Sequence, residues 1–551
     1  MQSASPFPAV TVIGATRAAG LFVLLLAVVV GIQWQGDANT GFIANDAAAH
    51  YVTGLAVHDW LRGLPGTLNG NPLRFVIDYH AHLPLTGFGL WPPLYHGVLA
   101  VWMVVAGTSK ASVLLLSGVV AALTGAAVGL AVARQAGWAC GVVAGLLTAA
   151  NPLVQRAAAE LMLDLPCALA SFLAAWAYAA YLARGTWRLA LLFSAIAVAA
   201  MLVKYNALAL ALVPPLCVLI LRRWDLLLRP SFYLPAVVVA VLVGPLYLKT
   251  HGFVEQGFRF TWGGEYVRLA TTYNLASLLE GLTPLAVPFA LFGLGRVLWN
   301  GGDRGAVSMI EVVCASLALA VFLFLLAVPV ALQDRYLLPA LAALLVLAGC
   351  ELGRLVLRLR QPAWRALAIM APVAVAAFAV LPPARQPQDT LAAAVAAMQT
   401  ELPHANPVIL LVSDAETEPA LIAEIAISEP RRPRAWVIRG ARLLGGGGFN
   451  NADYQPRFAT PAEILPAIDR YGVAVVIFQR STRPDAWGHI GQFAMLLEQA
   501  PGRFERVFIT EGRAPVEVLR VRGNEGRIPD PAALTELSGP RALMRMLSKA
   551  E

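Results

Sequence analysis

In a mostly apolar chain the residues able to do chemistry are few. Asp46 and His50 stand in ANDAAAHY, and Asp78, His80 and His82 follow in one short stretch. Glu160 and Asp164 belong to AELMLD, Lys204 and Tyr205 interrupt an apolar run, and Asp334, Arg335 and Tyr336 precede another. Lys249, His251, Glu255, Arg259, Glu265 and Arg268 gather in a region of mixed polarity. A carboxylate can take a proton from an acceptor hydroxyl or amine. Lysine and arginine can hold an anionic leaving group, arginine through its bidentate fork. Glu160 and Asp164 are four apart, so on one helix they would share a face. Asp164 and Asp46 are also candidate oxygen ligands for a divalent cation, and no other cofactor is indicated. Taken singly, each of these residues is as well explained by a solvated loop or a helix cap.

The elements that must carry them follow from composition. The 551 residues are 58% hydrophobic and only 13% charged, with a mean hydropathy of +0.66. Soluble domains carry about 25% charged residues, so a water-soluble globule of this composition could not cover its surface. The expectation is a polytopic α-helical membrane protein. The net charge of +8 does not point to nucleic acid, because the basic residues are mostly arginines between apolar runs, with lysine only at Lys110, Lys204, Lys249 and Lys549. Cys140, Cys167, Cys217, Cys314 and Cys350 all lie inside apolar runs, as small buried hydrophobes do.

A helical span needs about 20 apolar residues. That predicts about eleven spans, near 18–35, 111–133, 138–155, 165–183, 188–203, 206–221, 231–249, 280–299, 308–330, 336–353 and 364–383. The first reads as an uncleaved span, since Gln33, Trp34 and Gln35 follow it rather than a small-residue cleavage site. The stretch 90–107 is short and opens on Pro92 and Pro93. If it lies at the interface and the N-terminus is cytoplasmic, Arg134, Arg184, Arg188, Arg222, Arg223, Arg229, Arg296, Arg304, Arg354, Arg358, Arg360 and Arg365 all face the cytoplasm, as the positive-inside rule requires. A true crossing with the same N-terminus inverts the bias, and a crossing with an external N-terminus keeps most of it. The first arrangement makes 36–110 a long outer loop and collects the reactive residues on the outer face.

After Pro382, Pro383 and Pro387 the pattern changes. PVILLVSD, RAWVIRG, VAVVIFQR, RVFIT and VEVLRV read as strands, and EPALIAEIAIS, PAEILPAIDRYG and HIGQFAMLLEQA as helices between them. The expected organisation is a membrane domain over 1–384 and an extracytoplasmic soluble α/β domain over 385–551. GGGGF at 445–449 lacks the lysine and spacing of a phosphate loop and reads as a flexible loop.

Four stretches carry a resemblance: Asn45-Asp46-Ala47-Ala48-Ala49-His50-Tyr51, Trp91-Pro92-Pro93-Leu94-Tyr95, Ala159-Glu160-Leu161-Met162-Leu163-Asp164, and Gln333-Asp334-Arg335-Tyr336-Leu337-Leu338-Pro339. In order and spacing the region 18–383 resembles the GT-C superfamily of membrane glycosyltransferases, specifically its protein O-mannosyltransferase and aminoarabinose transferase branch. The resemblance implies transfer of a sugar from a polyprenyl-phosphate donor on the extracytoplasmic side, to a glycan, lipid or protein acceptor. It implies that Asp46 activates or orients the acceptor, that Asp164, with Glu160 beside it, supplies the second acidic position, and that Arg335 and Lys204 meet the carrier phosphate. Tyr205, Tyr336, His50 and Tyr95 complete the expected substrate-binding set. Many members carry an acidic residue directly after the first aspartate. Here it is Ala47, so a mechanism needing a carboxylate pair at that point lacks its second member. The Ala- and Arg-rich usage fits a bacterial inner-membrane protein. The competing readings are a secondary transporter or flippase, although no repeated halves with broken midplane helices are evident, and a non-catalytic relative.

Overall fold

The structure is a computed structural model and describes residues 13–35, 45–67, 71–255, 258–303, 305–379, 389–401, 407–429, 433–446, 454–480, 487–511 and 514–538. The proline linker at 382–387 and the glycines after Gly446 lie outside these residues. The chain divides into two compact units.

The first unit comprises residues 1–38, 89–95 and 114–384 and contains most of the apolar helices. Among the described residues five helices are long and apolar enough to cross a membrane: Ala15–Gln35, Lys110–Ala136, Asp164–Arg184, Met309–Ala327 and Asp334–Arg358. The expected spans at 138–155 and 231–249 are bent pairs, Trp138–Ala149 with Pro152–Ala159 (51°) and Pro230–Leu242 with Gly244–Gly252 (52°). Those at 188–203 and 206–221 are the shorter helices Trp187–Val203 and Tyr205–Leu221, and the last is the helix Pro362–Ala379. Small residues let helices approach closely, as is common in membranes. A Cβ on Gly129 would stand 2.7 Å from the Gly141 carbonyl.

The region 250–279 departs from its expected loop. Gly264–Gly281 is a helix that meets Thr283–Asn300 at 114°. Its Glu265, Arg268 and Glu280 interrupt the apolar pattern, which hid the helix from a search for apolar spans. The corner falls at Thr283, which adopts φ +62° directly before Pro284.

The second unit comprises residues 39–88, 96–113 and 385–551. The stretch between the first two long apolar helices carries the helices Asn45–Thr67, Pro72–His82 and Leu94–Ala106. The thirteen residues of the last extend about 20 Å at 1.5 Å per residue, short of the ~30 Å hydrocarbon core. The C-terminal part carries all five expected strands, β1 Val408–Val412, β2 Trp436–Arg439, β3 Val475–Gln479, β4 Phe504–Ile509 and β5 Val516–Val521. Their order is β2-β1-β3-β5-β4. β2, β1 and β3 are parallel, and β5 and β4 add antiparallel. The parallel strands are mostly apolar, with Arg439 and Gln479 only at the ends of β2 and β3, and Val408–Val412 is fully buried, as in a sheet covered on both faces. The helices Thr417–Ser428, Ile464–Arg470 and Gly488–Gln499 stand where the sequence placed them.

Helix Pro72–His82 joins this domain rather than standing apart from it. Ala81 enters its core. The His82 ring stacks on Trp436 at 3.7 Å, and its Nδ1 donates to the Ala435 carbonyl at 3.1 Å. Lys110 ion-pairs with the buried Glu424.

Candidate active site

Three interruptions in the helices of the first unit bring the site together. Helix Pro152–Ala159 ends at Glu160, a turn follows, and a new helix opens on Asp164. Helix Trp187–Val203 ends at Lys204, whose extended backbone (φ −155°, ψ 134°) leads into a tight 3-10 turn from Tyr205. Gln333 precedes a second 3-10 turn, Asp334–Leu337, and Pro339 then fits the first turn of the next helix. Each break leaves side chains free of an α-helical face.

At these breaks two cations converge on one carboxylate. Lys204 Nζ donates to Asp164 Oδ1 at 2.6 Å, and Arg335 Nε stands 3.5 Å from Asp164 Oδ2. Asp164 is 4% exposed, Lys204 15% and Arg335 18%. Asp164 opens its helix, where the backbone N–H groups favour an anion. Neutral partners also orient Arg335: its Nε donates to Gln333 Oε1 at 2.8 Å and its Nη1 to Met162 Sδ at 3.2 Å. Tyr336 presents its ring to Lys204 Nζ at 4.6 Å. Beside the cluster lies a recess with two kinds of wall. Asp164, Asn206, Arg335 and Tyr336 form the polar side; Cys167, Val321, Phe324, Leu325 and Pro339 form the apolar side. A recess with a guanidinium at one wall and hydrocarbon at the other suits an anionic group carried on a lipid.

Comparisons with known proteins bear on this geometry. Residues 91–248 match a family described as dolichyl-phosphate-mannose-protein mannosyltransferase. Comparison with curated protein sequences found no match. Among solved structures, ArnT from Cupriavidus metallidurans bound to undecaprenyl phosphate is similar with a TM-score of 0.60 at 17% identity, over 94% of this chain and 100% of that one. The archaeal oligosaccharyltransferase AglB from Archaeoglobus fulgidus, in complex with an inhibitory peptide and a dolichol-phosphate, is similar with a TM-score of 0.51 at 13% identity, over 97% and 78% respectively.

The chain has the GT-C fold.

The family match is confined to residues 91–248, the likeness to solved structures shows the fold, and the apolar helices mark a multi-pass membrane protein. Two of the four motifs, WPPLY and AELMLD, lie inside the matched segment; Asp46 and Arg335 lie outside it.

The other expected residues are distributed as follows. Asp46 is half-buried in the first turn of Asn45–Thr67, in the second unit of this GT-C chain. His50, one turn on, is buried against His96, Nδ1 to Nε2 at 3.1 Å. Tyr95 is buried in the first unit and is not part of the recess lining. Tyr205 hydrogen-bonds Thr250 at 2.8 Å and packs edge-on against Tyr247. Glu160 and Asp164 do not share a helical face, because the turn at 160–163 separates their helices. Asp334 is held by Arg156 at 2.8 Å. His80 in the second unit bonds Thr86, and burial, reinforced by Arg439 and Arg442, lowers its pKa to about 4.

Among the described residues no group of three or more His, Cys, Asp or Glu could hold a metal ion. Asp164 faces two cations, a setting that disfavours a divalent ion there, and no step below passes through one.

Reading for charge alone missed Asn206, Met162 and Gln333. An uncharged amide or thioether in an apolar run leaves no sequence signal; the break after Val203 was the available clue.

Proposed function

We propose that this protein transfers a sugar from a polyprenyl-phosphate-linked donor to an acceptor on the extracytoplasmic face of a bacterial inner membrane. The observation that carries the reading is the Asp164–Lys204–Arg335 cluster beside a half-apolar recess. Solved structures of the same fold carry undecaprenyl phosphate and dolichol-phosphate. In this reading residues 1–384 form the catalytic membrane domain. Residues 385–551 form an extracytoplasmic domain that selects the acceptor.

The reaction is a single displacement. Asp46 accepts the proton of the acceptor hydroxyl or amine, whose lone pair attacks the anomeric carbon. The bond from that carbon to the phosphate oxygen breaks, and the phosphate leaves with the electron pair. Arg335 meets the growing charge on the leaving oxygens. Lys204, held by Asp164, adds to the positive field, while Asp164 keeps both cations in place. A well-aimed donor to a developing anion contributes about 10²–10³ in rate, about 2.7–4 kcal/mol.

Asp46→Asn and Arg335→Ala in purified protein test the assignment with a lipid-linked sugar as donor. Both variants are expected to lose transfer while remaining folded. Wild-type transfer by both means that the site lies elsewhere.

A further inference from the structure

The recess holds a polar group that the reaction scheme leaves unused. The side-chain Nδ2 of Asn206 is shielded from solvent and has no hydrogen-bond partner among the described residues, yet Asn206 lines the recess together with Arg335 and Tyr336. A buried amide donor without an acceptor is unfavourable, and such groups are rare in folded proteins. Its position follows from the break after Val203: Lys204 is extended and Ala207 N donates to the Lys204 carbonyl at 3.1 Å, so the chain enters a 3-10 turn with Asn206 inside it. The two neighbouring side chains are engaged elsewhere, Lys204 with Asp164 and Tyr205 with Thr250. Asn206 is the residue of this turn whose donor has no protein acceptor.

We propose that Asn206 donates to a phosphoester oxygen of the ligand in this recess, and that Val321, Phe324 and Leu325 receive the first hydrocarbon units attached to that phosphate. The inference rests on the donor reading above and adds to it a neutral, directional contact. Arg335 supplies charge, which acts at a distance and in many orientations. An amide acts only on an oxygen in front of it, so Asn206 fixes the rotation of the headgroup. Asparagine brings no further positive charge, and two cations already crowd Asp164.

The test uses the full-length protein in lipid nanodiscs, with polyprenyl phosphate, the matching polyprenol and inorganic phosphate as separate probes. Asn206→Ala removes the donor; Asn206→Asp keeps the shape but presents a carboxylate to the phosphate. Polyprenyl phosphate affinity is expected to fall about tenfold in Asn206→Ala, the size of a lost hydrogen bond to a charged group, and further in Asn206→Asp. Polyprenol affinity is expected to stay unchanged. In transfer assays the donor KM rises in Asn206→Ala while kcat stays within about twofold, as loss of binding common to ground and transition states requires. Inorganic phosphate should compete only far more weakly than the lipid phosphate. Competition as tight as that of polyprenyl phosphate would overturn the lipid half of the proposal. Wild-type affinity in Asn206→Ala, with unchanged thermal unfolding, overturns the role of Asn206. If Arg335→Ala still loses binding, the donor reading survives that result. If wild-type protein binds no polyprenyl phosphate, the donor reading itself fails.

Discussion

The membrane unit contains two buried charge clusters, and they differ in a way that separates holding a fold from holding a ligand. In the first, Arg296 and Arg354 each reach both Glu311 and Glu351. Both carboxylates are nearly inaccessible, at 1% and 5%. Glu311 also accepts from the Ser308 backbone and hydroxyl in a capping box. Two positive and two negative charges tie three helices together. In the second cluster, Lys204 and Arg335 both reach the carboxylate of Asp164 and border a recess. Charge in low dielectric is costly unless matched. The first cluster pairs two arginines with two glutamates; the second borders the recess in which we propose that the carrier phosphate binds.

The largest expected effect breaks the comparison on its structural side. Glu351→Ala should cost about 3–5 kcal/mol of stability, because it strips a partner from two buried arginines. The folded fraction should still transfer sugar at the wild-type rate. Thermal unfolding together with activity per folded molecule checks this, and a loss of activity without loss of stability would erase the distinction.

Next in size, Arg335→Ala should raise the barrier to transfer by about 2.7–4 kcal/mol with little change in unfolding temperature. Arg335→Lys sharpens the same contrast. Lysine keeps the charge but not the planar fork, so it should restore part of the rate, leaving a deficit of about tenfold.

The smallest effect belongs to the second unit and serves as a control. His80 has its pKa lowered to about 4 from the ordinary 6.5, so the folded protein takes up its proton later than the unfolded chain. Its contribution to stability is therefore present above about pH 6.5 and is lost as pH falls towards 4. An unfolding temperature that declines over this interval, with a shallower slope in His80→Gln, is the expected outcome.

Much of this was readable before any fold was known. Asp164, Lys204 and Arg335 announced themselves because a charge beside a long apolar run needs a reason, and all three meet. Their arrangement was less legible. Lys204 was expected to face the carrier, whereas it is bonded to Asp164, a contact between residues forty positions apart that no local pattern encodes. The C-terminal sheet was legible strand by strand, because apolar runs of five residues such as Val408–Val412 are bounded by turn residues. The incorporation of Pro72–His82 into that domain was not, since it depends on His82 meeting Trp436. The Gly264–Gly281 helix escaped because its charges sit within a membrane-unit segment, and Asn206 escaped because an amide has no charge to mark it.

The central claim is that the recess beside Asp164, Lys204 and Arg335 receives the phosphate of a lipid carrier. The most direct measurement is the rise in unfolding temperature on adding polyprenyl phosphate to wild type, Arg335→Ala and Glu351→Ala, since a ligand that binds only the folded state stabilises it. The account predicts a clear rise in wild type, an equal rise from a lower baseline in Glu351→Ala, and almost none in Arg335→Ala. An undiminished rise in Arg335→Ala would contradict it.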